Sequence, residues 1–243
     1  MAEKSRLDVS MLKKGLVPSR SRAEAYIMEG RVYVDGKVVT KPGFFVLGSA
    51  GIKIKESDDF VSRGGLKLKK ALEEFKICVE GKVCLDIGAS TGGFTDCLLR
   101  SCAKKVYCVD VGYGLLDEKI KNNPCVVNFE RINIRYFDKA LLKDEIDFVT
   151  IDVSFISLEK VLPKVKELVK NGGEIIALVK PQFESPRGST KKGVVRDEGV
   201  RVEAIEKVKG FAKRIGFVVS GGVDSPIKGP KGNLEYLLYL KNV

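Results

Sequence analysis

The residues whose types and spacing could do chemistry begin with Val83 to Leu99, VCLDIGASTGGFTDCLL: an apolar run, a glycine-rich turn and the opening of a helix. A strand Val83-Cys84-Leu85 ends in Asp86. Gly88, Gly92 and Gly93 let the backbone turn tightly and approach a ligand lying over the strand ends, and Phe94 starts the inward face of the helix. The dinucleotide fingerprint needs glycines at its first, third and sixth positions, and Gly88-Ala89-Ser90-Thr91-Gly92 lacks the middle one. NAD is therefore disfavoured. Gly188 and Gly193 are spaced as in a P-loop, but Val194 stands where its phosphate-binding Lys should be. What remains is Asp-x-Gly-x-x-x-Gly-Gly after a strand, with a second acid, Asp110, closing the next strand, Val106 to Val109. That pattern suits S-adenosylmethionine, with Asp110 on the ribose hydroxyls.

Two further charges close apolar runs. Asp152 follows Phe148-Val149-Thr150-Ile151, and Lys180 follows Ile175-Ile176-Ala177-Leu178-Val179. Neither belongs in a core, and open α/β sheets place their sites at such strand ends. The chain contains no histidine, so Ser-His-Asp and Cys-His chemistry is excluded and a general base must be Lys, Asp, Glu, Tyr or Cys. Asp152-Val153-Ser154-Phe155 carries neither the Asn-Pro-Pro-Tyr expected of an amine-methylating enzyme nor the Pro-Cys of a carbon-methylating cytosine enzyme. The six cysteines show no C-x-x-C spacing, so no metal is expected and the thiols read as small buried hydrophobes.

The elements that must position these residues alternate: strands at 105–110, 125–130, 147–152 and 173–180, helices at 157–169 and 198–215, and final strands at 217–223 and 234–240. The expected fold is α/β, a mainly parallel sheet with helices on both faces, its last two strands antiparallel at one edge. FESPRGSTKKGVVR, 183–196, reads as a mobile basic loop beside the site.

Ahead of this lies a smaller unit, 1–59. It is expected to hold two short helices, the second capped by Ser21 and ended by Gly30, a hairpin over Val32 to Val39 turning at Asp35-Gly36, and a strand over Gly51 to Lys55. Residues 1–55 hold 11 Lys and Arg against 5 acids. Glu56 to Asp59 reverses the charge, 60–65 reads as a linker, and 66–243 forms the second domain, opening on a helix with Leu66, Ala71, Leu72 and Phe75 inward. With 43 Lys and Arg against 32 acids, net +11 and pI about 9.3, a polyanionic partner is expected, nucleic acid before membrane surface. No stretch approaches the ~20 apolar residues of a membrane span, and MAEKSRLDVS has no signal-peptide core, so a cytoplasmic protein is expected.

Arg6-Leu7-Asp8, Ser19-Arg20-Ser21-Arg22-Ala23, Ile27, Gly30-Arg31-Val32, Val34-Asp35-Gly36 and Val38 resemble the S4 RNA-binding domain. Arg6, Arg20, Arg22, Lys37 and, beyond it, Arg63 are the candidate RNA contacts. Lys67, Asp152, Lys180 and Glu235 resemble the Lys-Asp-Lys-Glu tetrad of FtsJ-type ribose 2′-O-methyltransferases. The whole chain is similar to the TlyA family, historically called haemolysins, through Ser62 to Leu68, Asp86 to Thr95, Val109 to Gly114 and Leu178 to Glu184. The resemblance implies a Rossmann-like methyltransferase domain behind a small α+β domain, with those four residues catalytic. It also implies S-adenosylmethionine held by Asp86, Gly88, Gly92, Gly93, Phe94, Asp110 and Asn133, and ribosomal RNA as substrate, methylated at the ribose 2′-hydroxyl of a cytidine. The compact chain favours the large ribosomal subunit. The alternative is a non-catalytic S4-type ribosome-assembly factor with a vestigial methyltransferase fold. A membrane-active haemolysin finds no spanning or amphipathic segment in support.

Overall fold

Residues 4–55, 60–186 and 188–243 are described by the structure, a computed structural model. The acidic stretch Glu56 to Asp59 lies outside the described residues. In the amino-terminal unit, β1 (Lys4–Arg6) leads into α1 (Leu7–Lys13), followed by α2 (Arg20–Met28), β2 (Val32–Val34), β3 (Lys37–Val38), β4 (Phe45–Leu47) and β5 (Ile52–Ile54). The α2 cap is Ser19, whose side chain accepts from the Arg22 amide; Ser21, expected in that role, lies inside the helix. Asp35 and Gly36 both have positive φ, 47° and 81°, the geometry that suits the twist of a tight β2–β3 hairpin. Leu7, Met11, Ala23, Ile27, Val32 and Val46 form this unit's own core.

The larger unit runs α3 (Gly64–Glu74), β6 (Val83–Ile87), α4 (Gly93–Arg100), β7 (Lys105–Val109), α5 (Glu118–Lys121), β8 (Val126–Phe129), β9 (Ile146–Ile151), α6 (Leu162–Leu168), β10 (Val169–Val179), α7 (Pro181–Glu184), α8 (Glu198–Arg214), β11 (Phe217–Asp224) and β12 (Tyr236–Asn242). Its seven strands lie in the order β11-β12-β10-β9-β6-β7-β8. The pairs among β10, β9, β6, β7 and β8 are parallel; β12 is antiparallel to both β10 and β11, so the expected antiparallel edge is present. Alternate residues serve opposite faces. Leu85, Ile175 and Ala177 pack with α6 and α8, whereas Cys84, Ile176 and Leu178 pack with α3 and α4. Burial on both faces explains why these strands read as unbroken apolar runs.

The 60–65 segment, expected as a linker, is packed against the larger unit. Phe60 and Ser62 are buried, and Gly64 and Gly65 already belong to α3. The two units are joined by arginines. Arg22, only 7% exposed, donates to the carbonyls of Leu115 and Leu116, the latter at 2.6 Å, and pairs with Asp117 at 3.3 Å. Arg31 donates to the Val61 carbonyl at 2.5 Å while lying over the Tyr26 ring.

Asp86 ties the centre of the sheet together. It is fully buried at the end of β6 and accepts from Thr95 of α4 at 2.6 Å and from Thr150 of β9 at 2.8 Å. Burial pushes its carboxyl up to about 6 from an ordinary 3.8, despite both hydroxyls. An acid whose pKa is higher folded than unfolded keeps its proton in the native state while the unfolded chain ionises, so stability falls as pH rises from about 4 and levels off above about 6. The full penalty is ~3 kcal/mol. Asp86→Asn removes this titration: urea unfolding from pH 4 to 7.5 is expected to show wild type losing stability relative to the variant across that window, with a constant difference above it.

Candidate active site

The turn after β6 puts three residues in the left-handed region: Gly88 (φ 81°), Ser90 (φ 49°) and Gly92 (φ 94°). Each candidate glycine answers to a neighbour. A Cβ on Gly88 would lie 2.5 Å from the Asp152 carbonyl oxygen, one on Gly92 2.9 Å from a Leu116 methyl, and one on Gly93 would overlap the Ser62 hydroxyl. The glycines thus let the turn press against the end of β9, the loop before α5 and the segment before α3. Asp110, after β7, accepts from the Ser90 amide at 2.8 Å and the Gly112 amide at 2.7 Å. It braces the turn while its remaining lone pairs stay available to ribose hydroxyls.

The structure separates the expected cofactor residues. Gly88, Gly93 and Phe94 line one pocket with Ser90 and Thr91. Asp110 stands at the far side of the turn. Asn133 caps the short 3₁₀ turn Ile134–Tyr136 that follows β8, accepting from the Arg135 amide; its chain neighbour Ile132 donates to the Asp110 carbonyl, which brings this turn beside Asp110. Asp86 is fully buried beneath the turn, bonded to Thr95 and Thr150, and is not among the residues that line the pocket, so it supports the site from below. The cradle left by Gly88, Ser90 and Gly92 fits the S-adenosylmethionine read from the sequence.

Lys67, Asp152 and Lys180 line that same pocket. They come from α3, the end of β9 and the end of β10, and Glu235 joins them from the residue before β12. Lys67 donates to Glu235 at 2.6 Å, and Lys180 pairs with Asp152 at 2.5 Å. Lys180 also donates to the hydroxyl of Ser154 at 2.9 Å, a contact the sequence reading missed because a serine two residues beyond an acid carries no signal of its own. Burial alone would lower the Lys67 ammonium, but Asp152 and Glu235 outweigh it and raise the pKa. Burial would likewise raise Asp152; Lys180 and Lys67 outweigh it and hold the carboxyl down. Glu235 packs so closely on Gly229 that no side chain fits there. Glu184, buried in α7, accepts from the Ser157 hydroxyl at 2.6 Å and the Leu158 amide at 2.8 Å, fixing the loop that carries Asp152 and Ser154 to the helix after Lys180.

Phe155 follows the pocket-lining Ser154, and other exposed aromatics of the larger unit lie against basic groups. Phe155, 85% exposed with φ 63°, rests on Phe183 at 5.1 Å; a bulky residue held in that conformation is strained, which marks functional loops. Tyr113 lies against Arg131, and Tyr136 against Arg135. The RNA candidates divide. Arg6 and Arg20 converge on buried Asp8 at 2.8 and 2.9 Å with their heads half in solvent, and they hold its carboxyl down against burial. Lys37 is exposed on the hairpin, and Arg63 lines the pocket. Arg22, expected on phosphate, is buried between the units and is withdrawn from that role.

The chain matches the FtsJ-like methyltransferase family over residues 60–242 and the S4 domain over 5–52. YqxC of Bacillus subtilis is 45% identical over 98% of this chain and 86% of its own length. The 16S/23S rRNA (cytidine-2′-O)-methyltransferase TlyA of Mycobacterium tuberculosis is 40% identical over 99% of this chain and 91% of its own. A solved structure from Streptococcus thermophilus, described as a hemolysin, superimposes with TM-score 0.78 at 41% identity, covering 100% of this chain and 90% of that one. Tetrad, glycine turn and amino-terminal unit agree with these matches, and the chain belongs to the TlyA family of FtsJ-like methyltransferases joined to an S4 domain.

Proposed function

We propose that the protein methylates a ribose 2′-hydroxyl of ribosomal RNA, at a cytidine, in the cytoplasm. The observation that carries this reading is the convergence of two lysine–carboxylate pairs in the pocket that holds the glycine turn. S-adenosylmethionine supplies an electrophilic methyl group when bound. A ribose hydroxyl is a poor nucleophile, and its proton must leave, or its developing charge be stabilised, as it attacks. Lys180 is the group placed to do this, with Asp152 and Ser154 fixing its amine on two sides. Lys67, kept protonated by its carboxylate neighbours, adds positive charge to the site, while Glu235 orients Lys67. Phe155 offers a stacking face for the target base at the pocket mouth. Arg6, Arg20 and Lys37 supply phosphate contacts on the S4 unit.

Lys180→Ala is expected to cut single-turnover methyl transfer to rRNA by at least ~10²-fold, the scale of a positioned acid–base group, with RNA and cofactor affinities within a few-fold. Near-normal transfer from tritiated S-adenosylmethionine would defeat the assignment. A rate that climbs with pH in wild type identifies Lys180 as the base; a flat profile assigns it to charge stabilisation.

Neutralising Arg6, Arg20 and Lys37 together is expected to weaken RNA binding and flatten its salt dependence by about one ion per lost contact. Arg22→Met, which breaks the joint between the units, should lower the unfolding temperature while leaving that salt slope as in wild type. Filter binding across a salt series reads both.

A further inference from the structure

The carboxyl end of α2 belongs to the S4 unit, yet it forms one wall of the methyltransferase pocket. Ala25, Met28 and Glu29 line it together with Arg63, Thr91, Lys67, Asp152 and Lys180. Glu29 spends one oxygen on the Thr91 hydroxyl, which donates to Oε1. Its other oxygen, Oε2, is buried without a hydrogen bond, and the guanidinium of Arg31 reaches it only at 4.0 Å. On the same wall the Nε of Arg63 is also buried without a hydrogen bond, and its guanidinium lies against Gly30, where an added Cβ would sit 3.0 Å from Nη2. A buried acceptor and a buried donor left open at adjacent positions each cost free energy unless a ligand completes them. Burial holds the Glu29 carboxyl up at about 7 in spite of Thr91, Arg31, Arg22 and Arg63, as befits a carboxylate short of counter-charge.

The pocket has one end left to assign. Asp110 fixes the ribose side of the turn, and the transferable methyl must reach Lys180 and Asp152. The remaining part of the cofactor is its amino-acid end, a zwitterion with one ammonium and one carboxylate. The wall formed by Glu29 and Arg63 presents one open acceptor and one open donor. We propose that Glu29, a residue of the S4 unit, receives the α-ammonium group of the cofactor, with Arg63 facing its α-carboxylate, so that the RNA-binding unit completes the cofactor site. This rests on the S-adenosylmethionine reading above. No bond is made or broken; Glu29 is a binding residue and takes no part in methyl transfer. Docking of the S4 unit and loading of the cofactor then favour one another, since both depend on the Glu29–Thr91 contact.

Calorimetry on the full chain tests this with two probes: S-adenosylhomocysteine, which has the amino-acid end, and 5′-methylthioadenosine, which lacks it. Glu29→Gln, of the same size and still able to accept from Thr91, is expected to weaken S-adenosylhomocysteine by ~10-fold or more, the worth of a hydrogen bond to a charged group, and to leave 5′-methylthioadenosine within two-fold. Arg63→Gln should show the same split, and it carries the test if the Glu29 variant does not fold. Unchanged S-adenosylhomocysteine affinity in both variants overturns the proposal. Equal weakening of both probes also overturns it, because Glu29 would then serve only to dock the units. Failure of wild type to bind either probe overturns the cofactor reading itself, and this inference with it.

Discussion

The backbone of Asp152 lies where a side chain on Gly88 would have to go, and much of the site follows from that close approach. It presses the glycine turn against the strand end that carries Asp152. The amide of Asp152 donates to the Ile87 carbonyl and that of Gly88 to the Val109 carbonyl, so three neighbouring strand ends are locked in register. Asp86 secures the same junction from below through Thr95 and Thr150. A methyl donor and a hydroxyl held by these elements meet at a separation set by the sheet spacing, which side-chain flexibility alone could not maintain.

Burying charge beside that junction is tolerated only because the charges come in pairs. Lys67 with Glu235 and Lys180 with Asp152 cross the sheet from four separate elements, and each member lost would leave its partner buried and uncompensated, a cost of several kcal/mol. Such a constellation is poor as a device for stability and suited to fixing the position and charge of an amine in a site screened from water. Glu184 extends the same logic outward: it spends a buried carboxylate on holding the loop between Asp152 and Ser157 to α7.

The S4 unit is more than a tethered RNA hook. Arg22 and Arg31 satisfy backbone carbonyls of the larger unit and of the segment joining the two, and Glu29 meets the cofactor turn directly. Lys37 is exposed on its hairpin, and the heads of Arg6 and Arg20, though paired with Asp8, stay half in solvent. Exposed Phe155 next to the pocket, and Tyr113 with Arg131 and Tyr136 with Arg135 elsewhere on the larger unit, offer stacking faces suited to structured RNA.

Local chemistry was legible in the amino-acid order. Apolar runs ending in Asp110, Asp152 and Lys180 marked the parallel strands and their ends, because residues buried on both faces leave little room for charge until the strand stops; Asp86 departs from this as a buried acid inside β6. Asp35-Gly36 marked the hairpin, since a tight turn needs positive φ at both positions. Roles that depend on what lies opposite were decided only by tertiary packing. Arg22 reads like Arg20 along the chain, yet one is buried against carbonyls and the other stands in solvent. Asp86 reads as a ligand and is consumed by two threonines. Ser19 displaced Ser21 as the cap because α2 starts at Arg20, so that the Ser19 side chain meets the free amide of Arg22 in the first turn. Ser154, Glu184 and Glu29 carry no pattern of their own, and their importance comes from partners 26, 26 and 62 residues away in the chain, a separation that only folding closes.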